Sequence, residues 1–171
     1  MGYSTDFEGS MKINPPLSPE QVEYINTFSR TRRMKRDLAE QLPDPIREAV
    51  GLPIGDEGAY FVGGTGFMGQ DRDSSVVDGN RPPSGQPGLW CQWEVSKDGT
   101  ELYWDGGEKF YDYVDWLQYL YNNFFSVWGN NLDGEITWQG QEPDDKGKIL
   151  CMTLNSGKTH ISTKIGRVVY E

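Results

Sequence analysis

The chain has 171 residues, of which 36% are hydrophobic and 13% aromatic, and its formal net charge is −10 at pH 7. This length suits one domain with a full hydrophobic core, so residues 1–171 are expected to form a single domain. The acidic balance argues against nucleic-acid binding, which depends on Lys and Arg. The lack of a secretion signal or a long apolar run predicts a cytoplasmic protein without membrane binding.

The negative charge is concentrated in the middle of the sequence. Residues 51–140 carry fourteen acidic and four basic side chains, whereas residues 1–50 carry eight and seven, and residues 141–171 carry four and five. Excess acidity favours solubility, and it also creates a field that attracts basic partners. The middle segment is therefore the surface that we consider for protein binding.

The first predicted elements are a strand and a helix. Residues 3–14 alternate loosely between apolar and polar side chains and end before two prolines, which predicts an N-terminal strand. Ser18 is suited to cap a helix with Pro19 at its first position. The apolar stripe of this helix is thin, and we expect the helix to run to about Gln41.

The predicted first helix carries the only concentrated positive charge of the chain, in residues 30–36, RTRRMKR. Arg32 and Arg36 stand one turn apart beside its apolar stripe, while Arg30 and Arg33 are expected to point outward. Two interpretations stay open. The arginines could form a solvated face or pair with the protein's own acids, or they could bind a phosphate, a carboxylate or an acidic partner.

The stretch after this helix has few regular patterns. Residues 44–50 predict a short helical turn, and residues 58–70, which alternate aromatic residues with glycines, predict a strand with a glycine-rich bend. No Gly-Lys-Ser/Thr follows the glycines, so a Walker-type phosphate loop is excluded. Residues 80–88 predict an ordered, irregular loop across the surface.

Three aspartates, Asp71, Asp73 and Asp78, superficially resemble a calcium-binding loop. An EF-hand needs Gly at its sixth position and an acidic ligand at its twelfth, but here these positions hold Val76 and Pro82. No metal site is therefore predicted.

A β-hairpin is predicted over residues 89–95 and 101–104, because the Asp98-Gly99 pair between them is typical of a tight turn. Trp90 and Trp93 fall on opposite faces of the first strand. Since only one face can meet the core, the other tryptophan either closes the core edge or offers a stacking platform for a ligand.

The organising element is a predicted helix from Gly106 to Gly129. Its apolar side chains recur at helical spacing over about half of the circumference, so a sheet must cover a broad face. They are Phe110, Tyr113, Val114, Leu117, Leu120, Tyr121, Phe124, Phe125 and Trp128. Asp112 and Asp115 fall on the opposite face and Tyr119 lies outside the apolar stripe, and these three are the predicted partner-binding residues.

Three further strands are predicted over residues 134–140, 148–154 and 159–170. The turns between them are rich in Asn, Asp, Ser and Gly. The order of strands and helices indicates an α+β fold, with a largely antiparallel sheet of about five to seven strands and two main helices on one face.

Little in the sequence points to catalysis. His160 is the only histidine and falls in a predicted edge strand, so Ser-His-Asp, Cys-His and zinc sites are all disfavoured. Cys91 and Cys151 lie in separate apolar runs and are expected to be buried free thiols. We predict no catalytic residue, metal or cofactor. The predicted ligand-binding residues are Arg32, Arg36, Arg72, Arg81 and Trp90.

Five motifs are spread over most of the chain: GYSTDFEG, TRRMKRD, NRPPSGQPGLWCQW, WDGGEKFYDYVDWL and GEITWQG. Together they resemble a family of small bacterial and bacteriophage proteins of unknown function. The resemblance implies a compact, cytoplasmic, single-domain protein with an origin in a phage or prophage. The resemblance implies no particular activity for this chain.

Three functions from different classes follow. We favour a non-catalytic acidic interaction protein, such as an accessory or inhibitory factor from a phage or mobile element, that binds a basic protein partner through its acidic middle segment. The first alternative is a sensor or sequestering protein for a nucleotide or sugar phosphate, held by Arg32, Arg36 and the Trp90 region. The second is a metal-independent enzyme, which requires a concave site with shifted carboxyl pKa values.

Overall fold

The computed structural model describes residues 2–38, 44–64 and 66–165, apart from the side chain of Met68. The chain divides into two compact units. The sheet unit comprises Met1–Ser18 and Gln92–Glu171, and the insert unit comprises Pro19–Cys91, which lies between those segments in sequence. That all residues fold as one domain stays a prediction.

The described residues contain eight strands. They are β1 Thr5–Asn14, β2 Lys35–Arg36, β3 Val76–Asp78, β4 Trp93–Val95, β5 Glu101–Trp104, β6 Asn131–Gly140, β7 Lys146–Thr153 and β8 Thr159–Ile165. β2 and β3 pair in the insert unit, and the other six form an antiparallel sheet in the order β4-β5-β1-β6-β7-β8. The predicted α+β fold with a largely antiparallel sheet is confirmed. Residues 166–170 of the predicted last strand lie outside the described residues.

Side chains of the six-stranded sheet alternate between a buried and an exposed face, as the period of a strand requires. On β1, Phe7, Met11 and Ile13 are buried, whereas Asp6 and Glu8 are exposed. The buried set continues across the sheet with Leu102, Leu132, Ile136, Ile149 and Cys151. The alternation that predicted β1 therefore also decides which of its side chains enter the core.

The predicted hairpin is present as β4 and β5. Its turn is held by Asp98, whose carboxylate accepts hydrogen bonds from the backbone N–H and the hydroxyl of Thr100 at 3.1 and 2.6 Å. The first strand starts at Trp93, so the predicted start at Leu89 is wrong. Leu89 belongs to the insert unit, where its carbonyl accepts from the N–H of Arg33 at 2.9 Å.

The central helix is unbroken and consists of three consecutive segments. An α-helix, α3, spans Tyr113–Leu120, a π-helical segment spans Tyr121–Phe125, and a last α-helical turn, α4, spans Ser126–Trp128. The helix ends at Gly129 with a φ of 83°. The predicted stop is therefore confirmed, because the left-handed conformation favours glycine.

The start of the central helix was predicted too early. Residues 106–112 are not helical, since Gly106, Lys109 and Asp112 have φ values of 86°, 58° and 55°. A right-handed helix cannot contain such values. Residues 106–112 form an irregular segment that precedes the helix.

One face of the central helix packs on the buried face of the sheet. The Tyr113 ring lies 4.9 Å from that of Phe7 and 5.9 Å from that of Trp138, measured between ring centroids. The buried members of the predicted apolar stripe are Phe110, Leu117, Leu120, Tyr121, Phe124 and Phe125. Trp116 is also fully buried, so the covered arc is wider than the predicted one.

The first helix, α1, spans Pro19–Arg30 and begins as predicted. The predicted end near Gln41 is wrong, and residues 31–36 are not helical. The physical reason is a competing backbone pairing, because the N–H of Arg33 donates to the carbonyl of Leu89 rather than to the preceding turn. The basic run therefore follows the helix instead of lying on it.

The rest of the insert unit is mostly irregular. The predicted short helix is present as α2, Pro45–Ala49. The predicted strand over residues 58–70 is wrong for their described part, which is irregular apart from 3-10 turns at Asp56–Gly58 and Phe67–Gly69. Gly63, Gly64 and Gly66 have φ values of 99°, 99° and 77°. A run of positive φ values is incompatible with a strand.

Cys91 and Cys151 are buried and free, as predicted. Burial raises the pKa of the Cys151 thiol to about 12, and the Asp133 carboxylate adds to the shift. A thiol that stays protonated at neutral pH is a poor nucleophile. Cys151 is thus a core side chain of β7.

Candidate functional site

Three of the predicted ligand-binding arginines meet at one turn of the insert unit. Arg32 Nε donates to the carbonyl of Gly79 at 3.0 Å, and Arg81 Nε lies 3.6 Å from Asp78 Oδ2. The guanidinium of Arg72 lies over Gly79, where an added Cβ would collide with it. We call the three guanidinium groups the arginine turn.

The arginine turn has the chemistry of an anion site. Arg72 is exposed, and the Arg81 side chain is 75% exposed. Each guanidinium offers a planar fork of N–H donors that suits phosphate or carboxylate oxygens. Asp78 offsets part of the positive charge. Whether these arginines bind a ligand stays a prediction.

Arg36 lies inside the insert unit. Its Nη1 donates to Asp73 Oδ2 at 3.0 Å and to Ser75 Oγ at 2.8 Å, and its guanidinium carbon lies 4.7 Å from the centre of the Phe61 ring. Burial opposes ionisation of Asp73, but hydrogen bonds from Ser75 and Arg36 outweigh it and hold the pKa of this carboxyl below its usual value. Arg36 therefore has a structural role in the interior of the insert unit.

Arg33 also has a structural role in the interior of the insert unit, so the prediction that its side chain points outward is wrong. It is 2% exposed, and its Nη2 donates to the carbonyls of Ala59 and Phe61, both at 2.9 Å. Its Nε donates to Gln86 Oε1 at 3.2 Å. The reason for the inward direction is that these irregular backbone segments lack ladder partners, and buried carbonyls need a donor.

A third buried arginine was not anticipated from the sequence. Arg47 Nε donates to Asp44 Oδ2 at 2.9 Å, and both residues are buried. Asp44 also caps α2 and accepts from the N–H of Val62 at 3.3 Å. The available signal was the Asp-Pro-x-Arg spacing, which places the two side chains on one turn.

Trp90, the remaining predicted ligand residue, is half-buried. Among the residues described, no hydrogen bond or ring contact joins it to the arginine turn. The structure therefore brings together three of the five predicted ligand residues, and places Arg36 in the interior.

The predicted partner-binding residues lie at the start of the central helix. Asp112 immediately precedes α3 and Asp115 is in its first turn, and both are exposed. Glu108 is exposed as well, and within the described part of the chain none of the three carboxylates forms an ion pair. We call Glu108, Asp112 and Asp115 the acidic start.

Tyr119 has a structural role on the same helix. Its ring packs edge-on against Trp116 at 5.6 Å and against Phe124 at 6.0 Å. Tyr119 is half-buried and its carbonyl accepts from Asn123 Nδ2 at 3.0 Å. The side chain thus closes the edge of the core, and a contact with a partner stays a prediction.

A groove of about 480 Å³ on the sheet unit was missed by the sequence reasoning. It is lined by Asp6, Glu8, Thr137, Trp138, Gln139, Lys146, Gly147 and Lys148. These residues belong to three neighbouring strands, β1, β6 and β7. Only cross-strand register brings them together, and a single strand carries no signal of it.

His160 is exposed on β8, an edge strand as predicted. Among the described residues, no group of three His, Cys, Asp or Glu side chains is placed to hold a metal ion. Nor does any helix in those ranges have the length and apolar character needed to cross a bilayer. Comparisons with protein-family models, curated proteins and solved structures find no match to this chain.

Proposed function

We propose that this protein is a non-catalytic interaction protein that binds a basic surface of a protein partner through the acidic start. The observation that carries the proposal is the exposure of Glu108, Asp112 and Asp115 without an ion pair to any described residue. Forming a contact with a basic partner would therefore break no salt bridge to another described residue.

Electrostatics favours fast association with such a partner. Like charges held at one helix end raise the local potential, which steers a basic protein toward it and makes binding sensitive to salt. The helix terminus itself gains about 0.3–1 kcal/mol from each nearby acid. A test must therefore separate partner binding from this contribution to helix stability.

The biological setting of the proposal is an accessory or inhibitory factor of a phage or mobile element. Its support is the resemblance of the five sequence motifs to small bacterial and bacteriophage proteins. The basic partner would then be a bacterial or phage protein.

Charge reversal with a matched control tests the proposal. Asp112→Lys with Asp115→Lys reverses two acids three residues apart at a helix start, and Glu20→Lys with Glu23→Lys makes the same change on α1, where both acids are exposed. Immobilised wild type should capture a basic protein from bacterial lysate at about 50 mM salt and release it near 500 mM.

The expected pattern is loss of the captured protein with the Asp112 and Asp115 variant and retention with the control. Circular dichroism and urea unfolding would confirm that both variants fold. Equal capture by the two variants would remove the acidic start as the binding surface.

A second candidate function is binding of a small anionic ligand, favoured by the arginine turn. The measurement is the melting temperature of the protein with nucleotides and sugar phosphates. Ligand at a hundred times its Kd adds about 2.7 kcal/mol of stability, which Arg72→Met with Arg81→Met should abolish. No stabilisation of the wild type by any of these compounds would exclude this function.

A further inference from the structure

The exposed face of the sheet is a separate surface from the acidic start. Asp6 and Glu8 on β1 alternate with buried Phe7, and Lys148 on β7 alternates with buried Ile149. The charged side chains therefore lie on the face opposite the central helix, which packs against Phe7. The groove of about 480 Å³ lies on this exposed face.

The register of the strands sorts the charges into two walls. Across β1, β6 and β7, Glu8 is opposite Thr137, which is opposite Lys148. One step along, the same pairing joins Asp6, Gln139 and Lys146. The groove thus has an acidic wall on β1, a polar floor on β6 and a basic wall on β7. Strand spacing places the walls roughly 9–10 Å apart.

Most of the wall charges have no ion-pair partner within the described ranges. Asp6, Glu8 and Lys146 form none there, and all three are exposed. Lys148 Nζ lies 3.2 Å from Glu135 Oε2, but both side chains are about half exposed. Among the described residues, the acidic side chains of β1 form no ion pair with the lysines of β7, so the exposed charges of both walls are available to a ligand.

We propose that this groove binds an extended peptide segment, from a partner protein, in which basic and acidic residues alternate. Side chains of an extended chain point alternately to its two sides, and every second residue recurs after roughly 6.6 Å. The wall residues Asp6 and Glu8, like Lys146 and Lys148, are also every second residue of a strand. A peptide lying along β6 therefore places its basic side chains on the acidic wall and its acidic side chains on the basic wall.

The match depends on the order of charges and not on their number. A segment with the same composition in blocks, two basic residues followed by two acidic ones, sets half of its charges against a wall of like sign. Net charge is zero in both cases, so long-range attraction is equal. Order is thus the property that an experiment should vary. This proposal does not depend on the acidic start.

Two labelled peptides of identical composition provide the probe, one with the repeat Lys-Glu-Lys-Glu and one with the repeat Lys-Lys-Glu-Glu, each eight residues long with blocked ends. Fluorescence anisotropy with the full chain at about 50 mM salt measures both affinities. The alternating peptide should bind at least tenfold more tightly. Equal binding of the two peptides, or no binding of either at millimolar protein, would overturn the proposal.

Variants of the walls make the test specific. Asp6→Lys with Glu8→Lys gives the groove two basic walls and should abolish the preference, while Glu20→Lys with Glu23→Lys changes the net charge equally and should leave it intact. Adding Lys146→Glu and Lys148→Glu to the first pair swaps the walls. An alternating peptide can direct its basic side chains toward either wall. The groove with exchanged walls should therefore bind it again.

The remaining outcomes also decide whether the peptide proposal holds. Failure of the swapped variant to recover binding, with a far-ultraviolet spectrum and urea transition like those of the wild type, would contradict recognition by opposed walls. Sedimentation of the protein without peptide addresses another occupant. A dimer that dissociates with Asp6→Lys and Glu8→Lys would assign the groove to a second copy of this chain, and the peptide proposal would fall.

Discussion

The two compact units are stabilised in different ways. The sheet unit buries a continuous apolar face, with Trp93 and Phe124 fully excluded from water. The insert unit also buries apolar side chains, including Tyr24, Ile25 and Phe28. In addition it buries Arg33, Arg36 and Arg47, whose guanidinium groups bond to carbonyls and carboxylates. The difference teaches that backbone segments outside helices and strands can be ordered by buried polar donors, provided that each buried acceptor receives one.

The two kinds of interior should respond differently to mutation. Removing an apolar side chain leaves a cavity, whose cost grows with the volume lost. Removing one partner of a buried ion pair leaves an uncompensated charge. The following predictions test this contrast, beginning with the largest effect.

The largest loss is expected from Trp93→Ala in the sheet unit. The Trp93 ring lies 5.3 Å from Phe7 and 5.2 Å from Phe110, and its Nε1 donates to the carbonyl of Tyr113 at 2.8 Å. Truncation should lower the free energy of unfolding by roughly 3–5 kcal/mol, measured by urea titration. Val127→Ala, at a 65% exposed position, should cost under about 0.5 kcal/mol. A loss below 1 kcal/mol for Trp93→Ala would contradict its assignment to the core.

In the insert unit, Asp44→Ala should cost about 3 kcal/mol, at the lower end of the range for broken buried pairs. It leaves Arg47 buried without its carboxylate, although Arg47 Nη1 keeps the carbonyl of Leu52. Glu48→Ala is the matched control, because Glu48 also faces Arg47, at 3.7 Å, but is 58% exposed. It should cost no more than about 1 kcal/mol. Similar losses for the two variants would mean that burial does not set the strength of this pair.

Alkaline pH should weaken the sheet unit by a smaller amount. Burial raises the pKa of Cys151, from an ordinary value of 9.0, and that of Tyr113, from 10.0, both to about 12. The folded state therefore holds protons that the unfolded chain releases, and the stabilising contribution is complete below pH 9 and lost as pH rises toward 12. Urea titrations at pH 8, 9.5 and 10.5 should show falling stability. Cys151→Ala should reduce the slope, and an unchanged slope would argue against a buried thiol.

Acidic pH should act on the insert unit, with the smallest expected effect. The lowered pKa of Asp73 makes its contribution complete above the ordinary value of 3.8 and lost as pH falls through the folded-state pKa. Urea titrations at pH 6, 4 and 3 should show this loss. Asp73→Asn should be less stable at pH 6 and less sensitive to acid, and wild-type-like acid sensitivity in that variant would exclude the Arg36 pair as the cause.

Local sequence signals located most elements of the sheet unit. Alternation identified β1, the Asp98-Gly99 pair identified the hairpin, and Gly129 identified the end of the central helix. The strand predicted over residues 134–140 is present as β6 but begins earlier, at Asn131. The early start at residue 106 failed because three residues there adopt positive φ, two of which are not glycine. Helical spacing of apolar residues does not report the backbone conformation between them.

The insert unit was less predictable because its order comes from contacts distant in sequence. Arg33 bonds to carbonyls of Ala59 and Phe61, and no pattern within residues 30–36 encodes those partners. Of the predicted site residues, Asp112 and Asp115 are exposed and three arginines lie at one turn, but that these residues bind anything stays a prediction. The sequence could not identify the groove, since only the register of β1, β6 and β7 places Asp6 and Lys146 on its opposite walls.

The position of β1 has a consequence for how the protein is made. β1, Thr5–Asn14, pairs along its whole length with β6, Asn131–Gly140. During synthesis at about 5–20 residues per second, β1 waits roughly 6–25 s for β6. The whole of Pro19–Cys91 leaves the ribosome in that interval. Closure of the sheet is thus a late, long-range event. In that period β5 can already pair with Met11 and Lys12, but the edge of β1 that later pairs with β6 is open to capture by other chains.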